Sequence, residues 1–425
     1  MSIKYRSVLF IVCLVITIVA GACSKNIAST TSKPSASAEN TTVTPPVSTT
    51  AKPAEKAQPE VAKPANQPKI VFWSKPTQGS SYDIYIMDPD GQNQVALTHN
   101  AGNNLVPRLS PDGTKIVFAS DRSWAEDGNP GGNYNIFEMD TDGSNVRNLT
   151  GNKTWASMPS WSPDGRMIVF VNQRPLVASG VLPHDIWVMD SAGNYFLELY
   201  KDNELSPDWP TWSPDGTKIL ITSNSEMSYA ISMMTFDYDQ IRQLVLSPQP
   251  ENISKEIWSK TGNRKIVSGE LQTVTPIENP LVRGVKKLNI NYAGGDYGGD
   301  WSPDGKKTAY DDQYTDVNTK IPDIFIMNSD GSNPVNLTDS INPKKDKEIF
   351  DWPSWSPDGK KIAFVIGAYN IYDRTKDQMQ IYEMNADGTN VIEIPSNNYS
   401  SGSPDWGTVP SEMAERIKSL QSQSK

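Results

Sequence analysis

The chain has 425 residues, of which 37% are hydrophobic, with 12 Trp and 16 Tyr, a composition that permits a large folded core and excludes a wholly disordered chain. Its formal charge is −10, from 49 acidic and 39 basic residues, and an acidic body disfavours the counterion release on which nucleic-acid binding depends. Its 2 cysteines both lie near the N-terminus, Cys13 inside an apolar run and Cys23 just after it, so no internal disulfide is expected.

The chain opens like a targeting signal. Lys4 and Arg6 form a short basic region, Val8 to Val19 is apolar, and Ala20-Gly21-Ala22-Cys23 closes the segment with small residues. The run is short for a transmembrane helix, which needs about 20 residues, so residues 1–22 are read as a signal peptide. Ala20-Gly21-Ala22 fits an A-x-A cleavage site of a secreted protein. The same residues followed by Cys23 resemble a bacterial lipobox, which implies lipid attachment at Cys23; an uncleaved anchor is the third reading. Without Lys4 and Arg6 the charge would be about −12, from 37 basic and 49 acidic residues.

Residues 23–67 form the second segment. From Ser24 to Gln67 it is almost entirely Ser, Thr, Ala, Pro, Lys, Glu and Asn, without Trp, Tyr or Phe, and cannot bury enough surface to fold. It reads as a disordered tether spanning about 35 to 40 Å as a coil and roughly 130 Å as extended polyproline II.

From Lys69 onward a repeat governs the chain. Trp161-Ser162-Pro163-Asp164-Gly165 returns as Trp212 to Gly216, Trp301 to Gly305 and Trp355 to Gly359, and as Leu109 to Gly113 with Leu in place of Trp. Each copy is followed by short runs rich in β-branched and aromatic residues, bounded by Gly, Asp and Pro, which are strand signals. One full unit contains four strands: Met158 to Trp161, Met167 to Asn172, Asp185 to Asp190 and Phe196 to Tyr200. In Ser162-Pro163-Asp164-Gly165, Pro presets φ near −65° and Gly accepts the positive φ that ends a type I hairpin with a bulge. Asp140 to Asn145, Asn328 to Asn333 and Asn385 to Asn390 carry the Asp-Gly hairpin signal between third and fourth strands. These turns superficially resemble calcium loops but lack the alternating ligands and the Glu at position twelve.

First strands are marked near Leu109, Trp161, Trp212, Trp258, Trp301, Trp355 and Trp406, at intervals of about 43 to 54 residues. Second strands begin near Ile70, Ile116, Ile168, Ile219, Ile266, Thr308 and Ile362. Both series predict an all-β, seven-bladed propeller of four-stranded blades over residues 68–408. Lys69 to Thr98 supplies strands two to four of blade one, and Ser403 to Gly407 resembles the missing first strand, so the C-terminal strand is expected to join blade one and close the ring. Residues 409–425 form a tail, in which Ser411 to Leu420 is expected to be a short helix packing Met413, Ile417 and Leu420 on the propeller rim.

The sequence P-x-W-S-P-D-G, then K-x-I-x-F, then D-I-[YWF]-x-M-[DN]-x-D-G-x-N-x-x-x-L-T, as in Ile116 to Thr150 and Ile324 to Thr338, resembles the TolB-type β-propeller repeat over roughly residues 69 to 407. The resemblance implies the fold. TolB itself carries an α/β domain before a six-bladed propeller, whereas here a leader and tether precede seven expected blades. The blade near Trp258 departs from the pattern, because Trp258-Ser259-Lys260-Thr261-Gly262 lacks Pro-Asp; its last strand is expected within Val285 to Ile290.

Blade topology puts all the tight Pro-Asp-Gly and Asp-Gly turns on one face and the long irregular segments on the other. Function concentrates on loops held by a rigid scaffold, and Trp and Tyr are favoured recognition anchors. The loop face is therefore the expected binding surface, with Trp124, Tyr134, Trp155, Asp208, Trp209, Tyr297, Tyr314, Asp351 and Trp352 as candidates. Packing of the loops against the blades is the competing role for each residue.

Catalysis has little support in the sequence. His99 and His184 are the only histidines and are read as surface residues of blades one and three, too few for the metal site of pectin-degrading propeller lyases. Propeller peptidases of the prolyl oligopeptidase type resemble the repeat too, but no G-x-S-x-G nucleophile elbow occurs. Glycoside hydrolysis needs two carboxylates about 5 to 10 Å apart, and sequence does not pair the many loop-face acids. No catalytic residue, metal or cofactor is expected. The reading is a monomeric module, held at the cell envelope through lipid on Cys23, that binds an envelope protein or peptide; the alternative is a propeller that binds or cleaves glycans.

Overall fold

The computed structural model describes residues 66–423 except 78–80, 100, 123–133, 152–154, 174–182, 202–205, 226–227, 247–255, 259–263, 268–269, 274–281, 289–297, 313–321, 342–348, 369–377 and 397–399; at 223–230, 256–273 and 368 only the backbone is described. The described residues all lie within the compact unit Ala62–Lys425.

Six antiparallel sheets of four strands form the body. From innermost strand outward, blade one is Ser400–Val409, Gln67–Lys75, Asp83–Met87 and Val95–Ala96, and blade two is Asn104–Leu109, Lys115–Ser120, Asn135–Asp140 and Arg147–Asn148. Blade three is Trp155–Trp161, Met167–Gln173, His184–Asp190 and Phe196–Lys201, and blade four is Ser206–Trp212, Lys218–Ser225, Ser228–Phe236 and Val282–Lys287. Blade five is Asp300–Trp301, Lys307–Asp312, Asp323–Asn328 and Val335–Asn336, and blade six is Ile349–Trp355, Lys361–Ala368, Gln378–Asn385 and Ile392–Glu393. The innermost strands touch in a closed cycle, each against the next and blade six against blade one. The C-terminal strand pairs with the N-terminal strand, Trp406 opposite Ile70 and Val409 opposite Gln67, and completes blade one.

The expected seventh blade does not exist. Trp258 opens a separate three-stranded sheet, Glu256–Trp258, Arg264–Val267 and Glu270–Thr273, which no ladder joins to a blade. It is an excursion between the third and fourth strands of blade four: Ser228–Phe236 pairs directly with Val282–Lys287, Met234 opposite Val285. The strand foreseen within Val285 to Ile290 thus belongs to blade four. The physical clue lay in Ser259-Lys260-Thr261-Gly262, where no Pro presets the turn that opens every blade-forming second strand except that of blade one. Helix α1, Tyr238–Leu246, follows the third strand of blade four and buries Ile241 and Val245 against its core.

Three recurrent contacts explain the repeat. In Ser-Pro-Asp-Gly the Gly165 N–H donates to the Ser162 carbonyl at 2.9 Å, Gly165 takes φ of 67°, and the Ser162 hydroxyl donates to Asp164 at 2.7 Å. The terminal Leu-Thr stitches fourth strand to third: Thr98, Thr150 and Thr338 accept from the amides of Ile84, Ile136 and Ile324 and donate to Asp83, Asn135 and Asp323. The aromatic residue of the second strand, Phe72, Phe118, Phe170, Tyr310 or Phe364, is fully buried between blades. Burying such a side chain stabilises the fold by about 1.5 to 3 kcal/mol.

Helix α2, Ser411–Gln423, packs Met413, Ile417 and Leu420 against the core of blades one and two, and Arg416 pairs with Asp142 of blade two.

Candidate functional site

The innermost strands share a strained feature. Val106, Met158, Trp209, Trp352 and Ser403 all have φ between 48° and 54°, and each precedes a proline. A residue before proline is pushed toward extended backbone, and a non-glycine residue with positive φ is uncommon, most of all when β-branched like Val106. The ladder slips at the same place in all five blades, between Asp351 and Ser354 in blade six and between Asp208 and Thr211 in blade four. Five of the six innermost strands therefore bulge at the same place. Blade five has Gly298-Gly299 instead, and a Cβ on Gly298 would collide with Trp209.

Just beyond the bulge, the residue before the repeat Trp or its Leu109 equivalent holds an equivalent place on the innermost strand of each blade: Arg108, Ser160, Thr211, Asp300, Ser354 and Asp405. Four of these side chains, those of Arg108, Asp300, Ser354 and Asp405, link neighbouring blades. Asp405 accepts from the Leu109 amide at 2.7 Å, Asp300 from the Trp355 amide at 2.8 Å, and the Ser354 hydroxyl from the Trp406 amide at 3.1 Å. The Arg108 guanidinium stands 3.4 Å from the Asp405 carboxylate. Burial pushes the Asp300 carboxyl up to about 6, against the Trp355 N–H and the positive charge of Arg108, which hold it down. Asp405 is also raised by burial, with Arg108 opposing. Blades two and five are opposite in a ring of six, so Arg108 acts on Asp300 across the channel.

The loop-face candidates divide by environment. Trp209 and Asp351 are buried, at 6% and 1% exposure, while Trp352 is half-buried with its ring edge-on to Trp73 at 5.7 Å. These two tryptophans occupy bulges and serve packing. Tyr134 and Trp155 are half-buried at neighbouring places, the Tyr134 carbonyl accepting from the Ala156 amide at 2.9 Å. Asp208 is half-buried with Oδ1 2.5 Å from His184 Nδ1, joining blades three and four. Trp124, Tyr297, Tyr314 and Cys23 lie outside the described residues. Among the described residues, no cluster of three or more His, Cys, Asp or Glu is arranged to hold a metal, and no helix is long and apolar enough to cross a membrane.

Residues 62–180 match the family described as the TolB beta propeller domain. A crystal structure of TolB from Acinetobacter baumannii covers 82% of this chain and 68% of its own, with a TM-score of 0.54 at 18% identity. The fold is that of a TolB-like β-propeller. Among curated relatives, it is similar to an uncharacterized protein of Agrobacterium fabrum, 34% identical over 139 residues, covering 32% of this chain and 45% of that protein. It is also similar to the uncharacterized peptidase YuxL of Bacillus subtilis, 25% identical over 230 residues, or 52% of this chain and 31% of that one. The chain spans less than half the length of either relative.

The channel ring of this TolB-like propeller escaped the sequence reading, although its signal was present. Arg108, Asp300 and Asp405 each stand immediately before the repeat Trp or its Leu109 equivalent, where the other blades have Ser or Thr. The His184–Asp208 contact had no such signal, since 24 positions and a blade boundary separate its partners. Chemically, the ring offers one guanidinium and two carboxylates, all half-buried, which suits recognition of a polar or charged group.

Proposed function

We propose that this TolB-like propeller is an envelope-tethered, non-catalytic module that binds a protein or peptide partner through its loop-rich face and the adjoining channel mouth. The observation that carries this reading is the mixed-charge set of Arg108, Asp300 and Asp405 on the innermost strands, two of which bulge just before it. Half-buried charges discriminate partners, because an unmatched group there leaves a desolvation cost uncompensated. In this reading Trp124, Tyr134, Trp155, Asp208, Tyr297 and Tyr314 of the loop-face segments supply the recognition surface, while Trp209, Asp351 and Trp352 support it from within. Lipid on Cys23, followed by the tether, would hold the propeller away from its membrane, and the monomer is the functional unit.

A glycan-directed reading would need aromatic platforms beside paired acids in one groove. Trp209 and Trp352 are instead packed inside bulges, which favours the protein or peptide partner.

The test is crosslinking and affinity capture from cell envelopes. Replacing Trp124, Tyr134 and Trp155 together by Ala, or Arg108 by Ser, should abolish capture of the partner while leaving the propeller folded. Unchanged capture in both variants would refute the placement of the site. Cys23→Ser should release the protein from membranes, and retention would refute the lipid anchor.

A further inference from the structure

The tight-turn face, opposite the loop surface, carries a second site whose ligand chemistry is displayed elsewhere in the same ring. In blade two, buried Glu138 stands opposite Arg147 in the register of the third and fourth strands. Arg147 Nε donates to Glu138 Oε1 at 3.1 Å, and its terminal nitrogens reach the Ser191 and Ala192 carbonyls of the next blade at 3.1 and 3.4 Å. Lys115 completes the carboxylate's environment at 3.3 Å. Blades one, three and five have apolar pairs at this register, Ile86 with Val95, Val188 with Leu197 and Ile326 with Val335.

Blade six has half of the charged arrangement. Glu383 takes the place of Glu138, only 4% exposed, and Lys361 takes that of Lys115, 2.5 Å from Glu383 Oε1. The residue opposite Glu383 is Ile392, which is 46% exposed. Glu383 Oε2 is buried with no hydrogen-bond partner among the described residues, a state that leaves the desolvation of a charged group uncompensated. A cavity of about 280 Å³ opens beside it, lined by Pro89, Asp90, Lys361, Glu383, Ile392 and Glu393. Pro89 and Asp90 hold the turn positions of Ser191 and Ala192, since Gly91 and Gly193 each donate to the residue three before them at 2.9 Å. Three carboxylates, Asp90, Glu383 and Glu393, thus face one lysine.

We propose that the groove between blades six and one binds the guanidinium of an arginine side chain presented by a peptide or protein partner. The guanidinium would donate to Glu383 Oε2 and to the carbonyls of Pro89 and Asp90, as Arg147 does within the chain, with its stem against Ile392. Its planar fork of donors suits a carboxylate flanked by carbonyls better than the point charge of an ammonium does.

The experiment is calorimetric titration of the full chain with acetyl-Gly-Arg-Gly-amide, alongside the citrulline and lysine counterparts. Saturable binding of the arginine peptide is expected, weakened at least tenfold for citrulline, which has the shape without the charge, and several-fold for lysine. Glu383→Gln should abolish binding. Ile392→Arg should fill the groove from within, abolishing binding while keeping or raising the thermal midpoint, which separates occupancy from misfolding. Absence of saturation at about 10 mM peptide, equal binding of the citrulline or lysine peptide, or undiminished binding to the Ile392→Arg protein would each overturn the assignment.

Discussion

Trp352 of blade six and Trp73 of blade one meet edge to face at the seam that closes the ring, with centroids 5.7 Å apart and planes at 83°. Tyr82 also packs edge-on against Trp73 at 4.8 Å, so the seam is an aromatic cluster in addition to a strand pairing. Trp352→Ala should therefore lower stability by about 3 kcal/mol, combining the loss of a large packed side chain with that of an aromatic pair. Denaturant unfolding measures this. A Trp352→Ala protein of wild-type stability would show that the residue is not a packing element.

Ser403 combines two unfavourable features in the C-terminal strand of the same seam. Its φ is 48°, and its hydroxyl is buried without a hydrogen-bond partner among the described residues. Glycine has no Cβ to oppose the left-handed backbone, a saving of about 1 kcal/mol, and removes the hydroxyl as well. Ser403→Gly is expected to raise stability by about 1 kcal/mol, seen as a higher denaturant midpoint at unchanged slope.

The excursion in blade four offers a direct test of the blade number. Phe236 pairs with Val282, so blade four closes without residues 256–273. Replacing 250–279 by a flexible Gly-Ser linker of roughly 12 residues, with α1 kept intact, should leave a folded propeller with an unchanged cooperative melt. Removal of a true blade would open the ring and abolish that transition, which would restore the higher count.

Those two regions show what the sequence could and could not convey. Four-stranded blades, turn chemistry and closure through Trp406 were legible because each rests on local rules repeated in phase, such as Pro at the first turn position and Gly at φ near 67°. The blade number was misread because Trp258 mimicked a marker and spacing alone cannot tell a blade from an inserted sheet. The true distance from Trp212 to Trp301, about 89 residues, is one blade enlarged by an excursion. The left-handed bulges that Trp209 and Trp352 occupy could not be read from the sequence, since a residue before proline is ordinarily pushed toward extended backbone. The link between Arg108 and Asp300 was invisible for another reason: it depends on blades opposite each other, which the wrong count would not place so.

The turn carboxylates govern the acid limit of stability. Hydrogen bonds from the Ser302 hydroxyl and the Lys306 amide hold Asp304 down to about 2, and Asp330, Asp358 and Asp387 are lowered by similar bonds from their turns. A group depressed in the folded state contributes stability that is fully present above its unfolded value near 4 and lost as pH falls toward 2. Denaturant midpoints should therefore drop between pH 4 and 2, and Asp304→Asn should shallow that drop.

The channel pulls in the opposite direction at higher pH. Asp300, at about 6, lies above the ordinary carboxylate value because burial opposes its charge, so the folded state holds this proton more tightly than the unfolded chain. Its contribution to stability is greatest below about 4 and is lost as pH rises through 6. Combined with the turns, this places the stability maximum near the lower end of that window. Arg108→Met removes the positive charge that lowers both Asp300 and Asp405, and should move the Asp300 midpoint upward and steepen the loss of stability toward neutral pH. Carboxyl carbon NMR of Asp300 reads the midpoint directly, with Asp300→Asn as the assignment control. A midpoint near 4 in the wild-type protein, or one unmoved by Arg108→Met, would show that the two groups do not share a poorly solvated channel.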